Sequence, residues 1–430
     1  MDEKFLCILF IVLVFISCNH KSDLYKSNKE VGLNQKLSIS NTDIELNKTD
    51  GNLIEIALFS KCTNFDNNLS TVASNIKFVH LAEEPPINDF HTYDVQISEE
   101  YIFLADLYNI RQYDLQGNFL KNIGKRGMGP AEFVQIMPPI QLDRDKELIY
   151  ARDGGSKKIV IYRFDGSFVS SIRLQNDIEM IDIIDTTTIA VRQTMSERRR
   201  PNCPLIRFID YEGKLKKVYP SHLYPYNGRE RGLGSSENFL WENNSRFYYL
   251  EYGNDTIYRI LKDSIVPVRK LTGNLILKPY NFFSNEIGEN LIPFTYILRP
   301  NAAIFESDSY IIFRLKSQWE RFFMVYNKQT GYFQRTNYSN PPIFHNRGIG
   351  DEKKMDYFID DMVTGLYFNP QYQSMGKAIA LIPATEIVEK KDIILHFMSE
   401  HPSEEAAKLK SIVEGMNELD NPLIVITTFK

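Results

Sequence analysis

Cysteine, tryptophan and histidine are scarce in this chain of 430 residues, at four, two and seven copies. Cys7 and Cys18 belong to an N-terminal apolar segment, which leaves only Cys62 and Cys203 and excludes a disulfide-stapled small domain. An oxidising compartment permits a bridge between those two; free, buried thiols are the alternative. The histidines are dispersed and show neither H-x-x-x-H nor H-E-x-x-H spacing, so the sequence points to no metal site. G-x-S-x-G is also missing, and with it the nucleophile elbow of a serine hydrolase. Positive charge is not in excess either: a net charge of −5 argues against a general nucleic-acid binder. The one long apolar run, Phe5 to Ile16, is too short to span a bilayer as a helix.

That run has the length of a secretory signal core and ends in Phe15-Ile16-Ser17-Cys18. The ending resembles a bacterial lipobox, in which a small residue precedes a cysteine that receives diacylglycerol. On this resemblance residues 1–17 are a lipoprotein signal peptide and Cys18 is the lipidation site. The chain would then be tethered to a membrane by acyl chains without crossing it. Residues 18–50, rich in Asn, Lys, Ser and Asp, read as a flexible tether. The expected location is the cell envelope, on its periplasmic face or at the cell surface.

Residues 51–430 are expected to form one large domain, since 43% hydrophobic and 13% aromatic residues suffice for a core. Its organising stretch is Tyr101 to Phe133. Tyr101 to Ala105, Ile110 to Asp114 and Phe119 to Ile123 are short runs of strand formers separated by turn chemistry. Asp114 and Gly117 bracket a D-x-x-G turn, in which Asp bonds the backbone ahead and Gly fills the last position at little steric cost. The pattern returns at Phe164-Asp165-Gly166 and Asp210-Tyr211-Glu212-Gly213, with an echo at Asn327 to Gly331. A meander recurring at roughly 40–50 residues is a signature of propeller blades. A β-sandwich with similar hairpins is the alternative.

The remaining blades are expected over Ile140 to Leu174, Met180 to Tyr219, Phe239 to Leu271, Ile297 to Arg335 and, with Gly365 to Phe368 and Ala378 to Ile382, from Tyr357 to Pro383. Helical spacing then takes over between Ala384 and Leu419, with a break and new start at His401 to Glu405. Leu423 to Phe429 reads as a closing strand, pairing either with the strand around Ile76 to Leu81 or inside the sixth blade.

The run Ile123-Gly124-Lys125-Arg126-Gly127-Met128-Gly129-Pro130-Ala131-Glu132-Phe133, the later Asn254 to Tyr258 and the ending Asp420-Asn421-Pro422-Leu423-Ile424-Val425-Ile426, together with the lipoprotein-like start, resemble the six-bladed β-propeller lipoproteins of Bacteroidetes. Their blades are similar in style to NHL and TolB-like propellers. The resemblance implies an all-β, six-bladed propeller with a helical excursion before the closing strand. It brings no catalytic residues.

Residues suited to binding are few. Lys125 and Arg126, in the Gly-rich loop, suit an anion, although Pro130-Ala131-Glu132 follows where a phosphate-binding loop needs Lys-Ser or Lys-Thr. Arg198, Arg199 and Arg200 form a basic cluster, and Tyr224, Tyr226 and Trp241 offer aromatic faces suited to sugars or peptide side chains. A solvated loop and packing between blades are the respective alternatives. Asp153-Gly154-Gly155 reads as a solvated turn, and Asp360-Asp361 as strand neighbours on opposite faces. No cofactor, metal or catalytic residue is expected. The leading function is a non-enzymatic scaffold binding a glycan, a peptide or a protein partner. The alternative is a lyase or hydrolase working at a central channel, although no cluster of channel residues is evident in the sequence.

Overall fold

Strand-forming runs and tight turns produce six small antiparallel sheets in the computed structural model. The structure describes residues 53–57, 63–65, 67–87, 94–174, 178–185, 187–193, 204–220, 238–243, 246–251, 255–262, 264–272, 292–293, 304–316, 321–336 and 357–430. The first blade comprises Asp94–Ile97, Tyr101–Ala105, Ile110–Asp114 and Phe119–Asn122, paired in sequence order. The second has Ile136–Asp143, Leu148–Asp153, Lys158–Arg163 and Phe168–Arg173; the third has Ile178–Asp185, Thr188–Gln193, Pro204–Ile209 and Leu215–Pro220. Blade four follows with Asn238–Asn243, Arg246–Glu251, Thr256–Ile260 and Ile265–Thr272. In blade five, Ile292–Pro293 and Ile304–Glu306 both pair with Tyr310–Lys316, followed by Arg321–Asn327 and Phe333–Thr336. The sheets form a six-bladed β-propeller, which sets the sandwich alternative aside.

The sixth blade is assembled from both ends of the compact unit Thr49–Lys430. Its order is Tyr372–Ser374, Lys377–Ile382, Leu423–Phe429, Ala73–His80. The closing strand thus pairs on both sides, with Ile426 opposite Ile379 on one and Lys77 on the other. Both expected pairings of that strand occur together. One expected piece is displaced: Tyr367–Phe368 pairs with Phe358–Ile359 in a separate two-stranded ladder. Asn421, immediately before the closing strand, is buried; it donates to the carbonyls of Ala82, Glu83 and Pro85 and accepts from Ile87 N at 2.7 Å. The ending that carried the resemblance therefore clamps the segment that leaves the sixth blade.

The recurring glycines have a common physical cause. Gly117, Gly166, Gly213 and Gly331 all have positive φ, from +72° to +93°, a region that L side chains rarely adopt. Gly117 N–H donates to Asp114 O at 3.1 Å, and a Cβ there would lie 1.9 Å from the carbonyl oxygen of His80, on the outer strand of the preceding blade. At Gly117, Gly166 and Gly213 the turn is also where one blade meets the outer strand of the one before it.

The core is divided into wedges between neighbouring blades. Phe103, Ile149 and Tyr162 fill one between the first two blades; Tyr150, Ile161 and Ile189 fill the next. Each such residue, fully buried, contributes roughly 1.5–3 kcal/mol of transfer free energy. The wedge at blades five and six also takes in helices Ala384–Glu389, Lys391–Glu400 and Glu404–Gly415, through Ile387, Ile394, Leu409 and Val413. Ser403 caps the last helix, accepting from Ala406 N at 3.1 Å. Its Glu405 accepts from Phe78 N on the outer strand of blade six at 2.8 Å, which satisfies an amide at that edge.

Two strands have no counterpart in the sequence-based expectation. Ile54–Ala57 pairs in parallel with the outer strand of blade four, and Thr63–Phe65 in parallel with that of blade five. The chain then supplies Ala73–His80 as the outer strand of blade six. Its N-terminal part thus lays a strand on three successive blade edges.

Candidate functional site

The first strand of each blade faces the propeller axis, so polar residues on those strands converge only once the ring closes. Gln96, Gln141, Asp182, Glu242, Gln373 and Ser374 line one axial cavity, with the apolar Leu240, Trp241 and Phe247 at its side. Its volume is ≈ 30 Å³, room for about one or two water molecules.

Around it the polar groups are held by the framework. Asp94 is 4% exposed, accepts from Gln96 Nε2 at 3.1 and 3.2 Å, and accepts from Ile140 N of the second blade at 2.9 Å. Burial pushes its carboxyl up to about 7, with the Gln96 and Ile140 hydrogen bonds opposing. Arg144, just past the first strand of blade two, reaches three other blades. It donates to Ile97 O at 3.0 Å and Ser374 Oγ at 2.9 Å, and lies 4.0 Å from Glu242. Burial raises the Glu242 pKa against the pull of Arg144, and burial lowers that of Arg144. Gln373 donates to Glu242 O at 3.2 Å, while its buried Oε1 has no partner.

This convergence corrects the expectation that no channel cluster exists. The signal was polar residues alternating with apolar ones in a first strand, as in Asp94-Val95-Gln96-Ile97 or Ile181-Asp182-Ile183. No single stretch contains enough of it to be read as a site.

Of the residues singled out from the sequence, the described ones, Lys125, Arg126 and Trp241, are not brought together. Lys125 and Arg126 are exposed and form a two-residue parallel ladder with Glu132–Phe133. Lys125 pairs with Glu132 at 2.9 Å, and Arg126 lies over the Tyr108 ring at 4.6 Å. Glu132 also accepts from Gly129 N at 2.8 Å, so the glycine-rich loop closes on a carboxylate of its own. Trp241 is 2% exposed, stacks on Tyr248 at 5.7 Å and donates to Glu306 Oε2 at 2.8 Å; its ring is part of the packing between blades four and five. Cys18, Cys62, Cys203, Arg198, Arg199, Arg200, Tyr224 and Tyr226 lie outside the described residues, as do residues 1–50.

Two further readings are corrected. Gly154 and Gly155 form an exposed turn, but Asp153 before them ends a strand and is fully buried. Burial opposes its charge, but Gln135 N, Val134 N and Gly155 N at 3.0–3.1 Å hold the carboxyl below the usual carboxylate range. Asp360 and Asp361 lie just beyond a strand. Asp360 accepts from the N–H groups of Met362, Val363 and Thr364, and Asp361 from Ser70 N and Oγ. Among the described residues, no group of three or more His, Cys, Asp or Glu is arranged to hold a metal ion. No helix among them is long and apolar enough to cross a membrane.

Comparison with solved structures agrees with the fold. A protein from Bacteroides fragilis, described as exported, superposes with a TM-score of 0.60 at 15% identity, covering 88% of this chain and all (100%) of that one. A DUF4221 family member from Bacteroides vulgatus gives 0.45 at 13% identity, covering 84% of this chain and 97% of its own. Virginiamycin B lyase from Staphylococcus aureus gives 0.36 at 11% identity over 66% and 78% of the two chains. No curated protein matches. Residues 53–428 match the family described as Domain of unknown function (DUF4934), from the outermost strand of blade four to the end of the closing strand, and the chain belongs to that family.

Proposed function

We propose that this chain is a non-enzymatic scaffold of the cell envelope, anchored to a membrane through lipid on Cys18 and binding a peptide, protein or glycan partner on its outer surface. The observation that carries this reading is the smallness of the axial cavity among the described residues. Partly open, it offers ≈ 30 Å³, less than a sugar ring or a peptide bond with its neighbours fills. The cationic side chain beside it, Arg144, already binds groups of blades one and six and faces Glu242 of blade four. Among the described residues the periphery offers exposed groups: Arg126 lies over the exposed Tyr108 ring, and Met128 stands exposed two residues further on.

A specific observation favours the enzyme alternative as second reading: burial raises the pKa of both Asp94 and Glu242 near the axis, as in many acid–base sites. One experiment separates the two. A photo-reactive side chain at Arg126, cross-linked in intact cells, is expected to give a discrete adduct that survives Glu242→Gln. Loss of the adduct on Glu242→Gln at unchanged melting temperature would return the axis to the centre of function. Anchoring is tested separately with a clickable palmitate analogue. It should label the parent chain and miss Cys18→Ala; equal labelling of both contradicts the anchor.

A further inference from the structure

The outer edges of the blades are treated unequally. On blade four the outer strand Ile265–Thr272 carries Arg269 and Lys270, and the added strand Ile54–Ala57 lies against it in parallel. Register sets Glu55 beside Lys270 and Ile56 beside Leu271. Ile56 becomes 1% exposed and joins the wedge that contains Trp241 and Leu250. The molecule itself thus defines what a blade edge accepts: an extended aliphatic–acidic–aliphatic segment that pairs its backbone, sinks one side chain and sets a carboxylate beside a cation.

Blade two offers the same arrangement with no added strand among the described residues. Its outer strand Phe168–Arg173 has Phe168 39% and Val169 42% exposed, with Ser170, Ser171 and Arg173 exposed as well. Arg173 pairs with Lys158, the first residue of the third strand, just as Lys270 pairs with Thr256, the first residue of the third strand of blade four. The basic position that faces Glu55 on blade four is therefore repeated on blade two. No acidic residue lies on Phe168–Arg173. An edge strand of this kind presents unpaired backbone donors and acceptors together with half-exposed apolar side chains.

We propose that the outer strand of blade two is a docking edge for an extended segment of a partner polypeptide, of Ile-Glu-Ile character, added as a parallel fifth strand. This deepens the scaffold reading above and rests on it. The mode is β-augmentation, in which main-chain pairing gives affinity and alternate side chains give specificity. A second copy of this chain fits less well, since two-fold edge pairing would oppose basic strands bearing Arg173.

The test uses the whole chain and a fluorescein-labelled synthetic peptide with the sequence of Leu53 to Ala57. Because blade four already holds its own copy of that strand, binding in trans reports an open edge. Saturable binding by anisotropy is expected, with photo-cross-links from the peptide mapping to residues 168–173. Arg173→Glu should weaken it about tenfold, and a peptide with Lys in place of Glu should restore the loss. Ser171→Pro should abolish binding at little change in melting temperature, because the Ser171 amide faces away from the neighbouring strand and proline is tolerated at such edge positions. The proposal is overturned by absence of saturable binding, by cross-links to blade four, or by affinity indifferent to both substitutions. It is overturned equally by self-association of the chain that Ser171→Pro removes. Those failures leave the adduct from Arg126, and so the scaffold reading, untouched.

Discussion

Blades four to six and blades one and two solve the same problem differently. Every blade ends in an outer strand with one unpaired side, a hazard for aggregation. On blades four and five that side is paired by Ile54–Ala57 and Thr63–Phe65; on blade six it is met by Glu405 from a helix. Blades one and two keep Phe119–Asn122 and Phe168–Arg173 as edges, with Leu120, Phe168 and Val169 exposed and with Lys121 and Arg173 as charges. The difference teaches that this ring is not uniform around its rim. One side is sealed by the strands Ile54–Ala57 and Thr63–Phe65 and by a helix, and the other, among the described residues, is guarded by basic side chains.

The largest expected effect comes from breaking the sealed side at its closure. Deleting Asn421 to Lys430 removes the central partner of Lys377–Ile382 and Ala73–His80, and with it two ladders and the Asn421 clamp. Size-exclusion chromatography should find aggregate or unfolded chain. A folded monomer would break the closure account.

Next is the seam between blades four and five. Glu306, 1% exposed, accepts from Trp241, from Arg269 at 2.6 and 3.1 Å and from Lys328 at 2.7 Å. Glu306→Ala leaves two cations facing each other and should cost about 3–5 kcal/mol in urea unfolding. The open side is then compared with the sealed side directly. Ile56→Ala should cost about 2–4 kcal/mol as a core truncation, whereas Val169→Ala should stay within about 0.5 kcal/mol. Equal losses would erase the contrast.

The smallest effect sharpens the seam between blades one and two. Asp94 has its pKa raised to about 7 from 3.8, so the folded state holds a proton that the unfolded state releases. Its contribution is fully present below 3.8 and is lost as pH rises through 7. Asp94→Asn has no proton to lose. It should flatten the fall of melting temperature with pH over that window, and gain on the parent chain above pH 7.

Much of the ring was legible because its signals are local. The D-x-x-G turns at Gly117 and Gly213 and the capped helix start at Ser403 each rest on a few neighbouring residues. Leu423 to Phe429 was legible as an apolar run stranded after helices. The strands Ile54–Ala57 and Thr63–Phe65 were not, since parallel pairing with distant blades needs no turn and leaves no local mark. Gln96, Asp182 and Glu242 lie on three different blades and meet only in space. Trp241 allowed both a ligand-facing and a packing reading, because an aromatic on a strand looks alike whether it packs or projects; the packing alternative is the one found.

The contrast between the two sides is tested most directly by native-state hydrogen exchange on the outer strands. In an open edge roughly every second amide points outward without a partner, whereas a paired edge protects both sets. The outward amides of Arg269 to Thr272, under Ile54–Ala57, are expected to exchange slowly, with protection close to that of the neighbouring strand. Those of Val169 to Arg173 are expected to exchange orders of magnitude faster, and to slow when the Leu53 to Ala57 peptide is added. Equal protection of the two strands in the free chain would contradict the account.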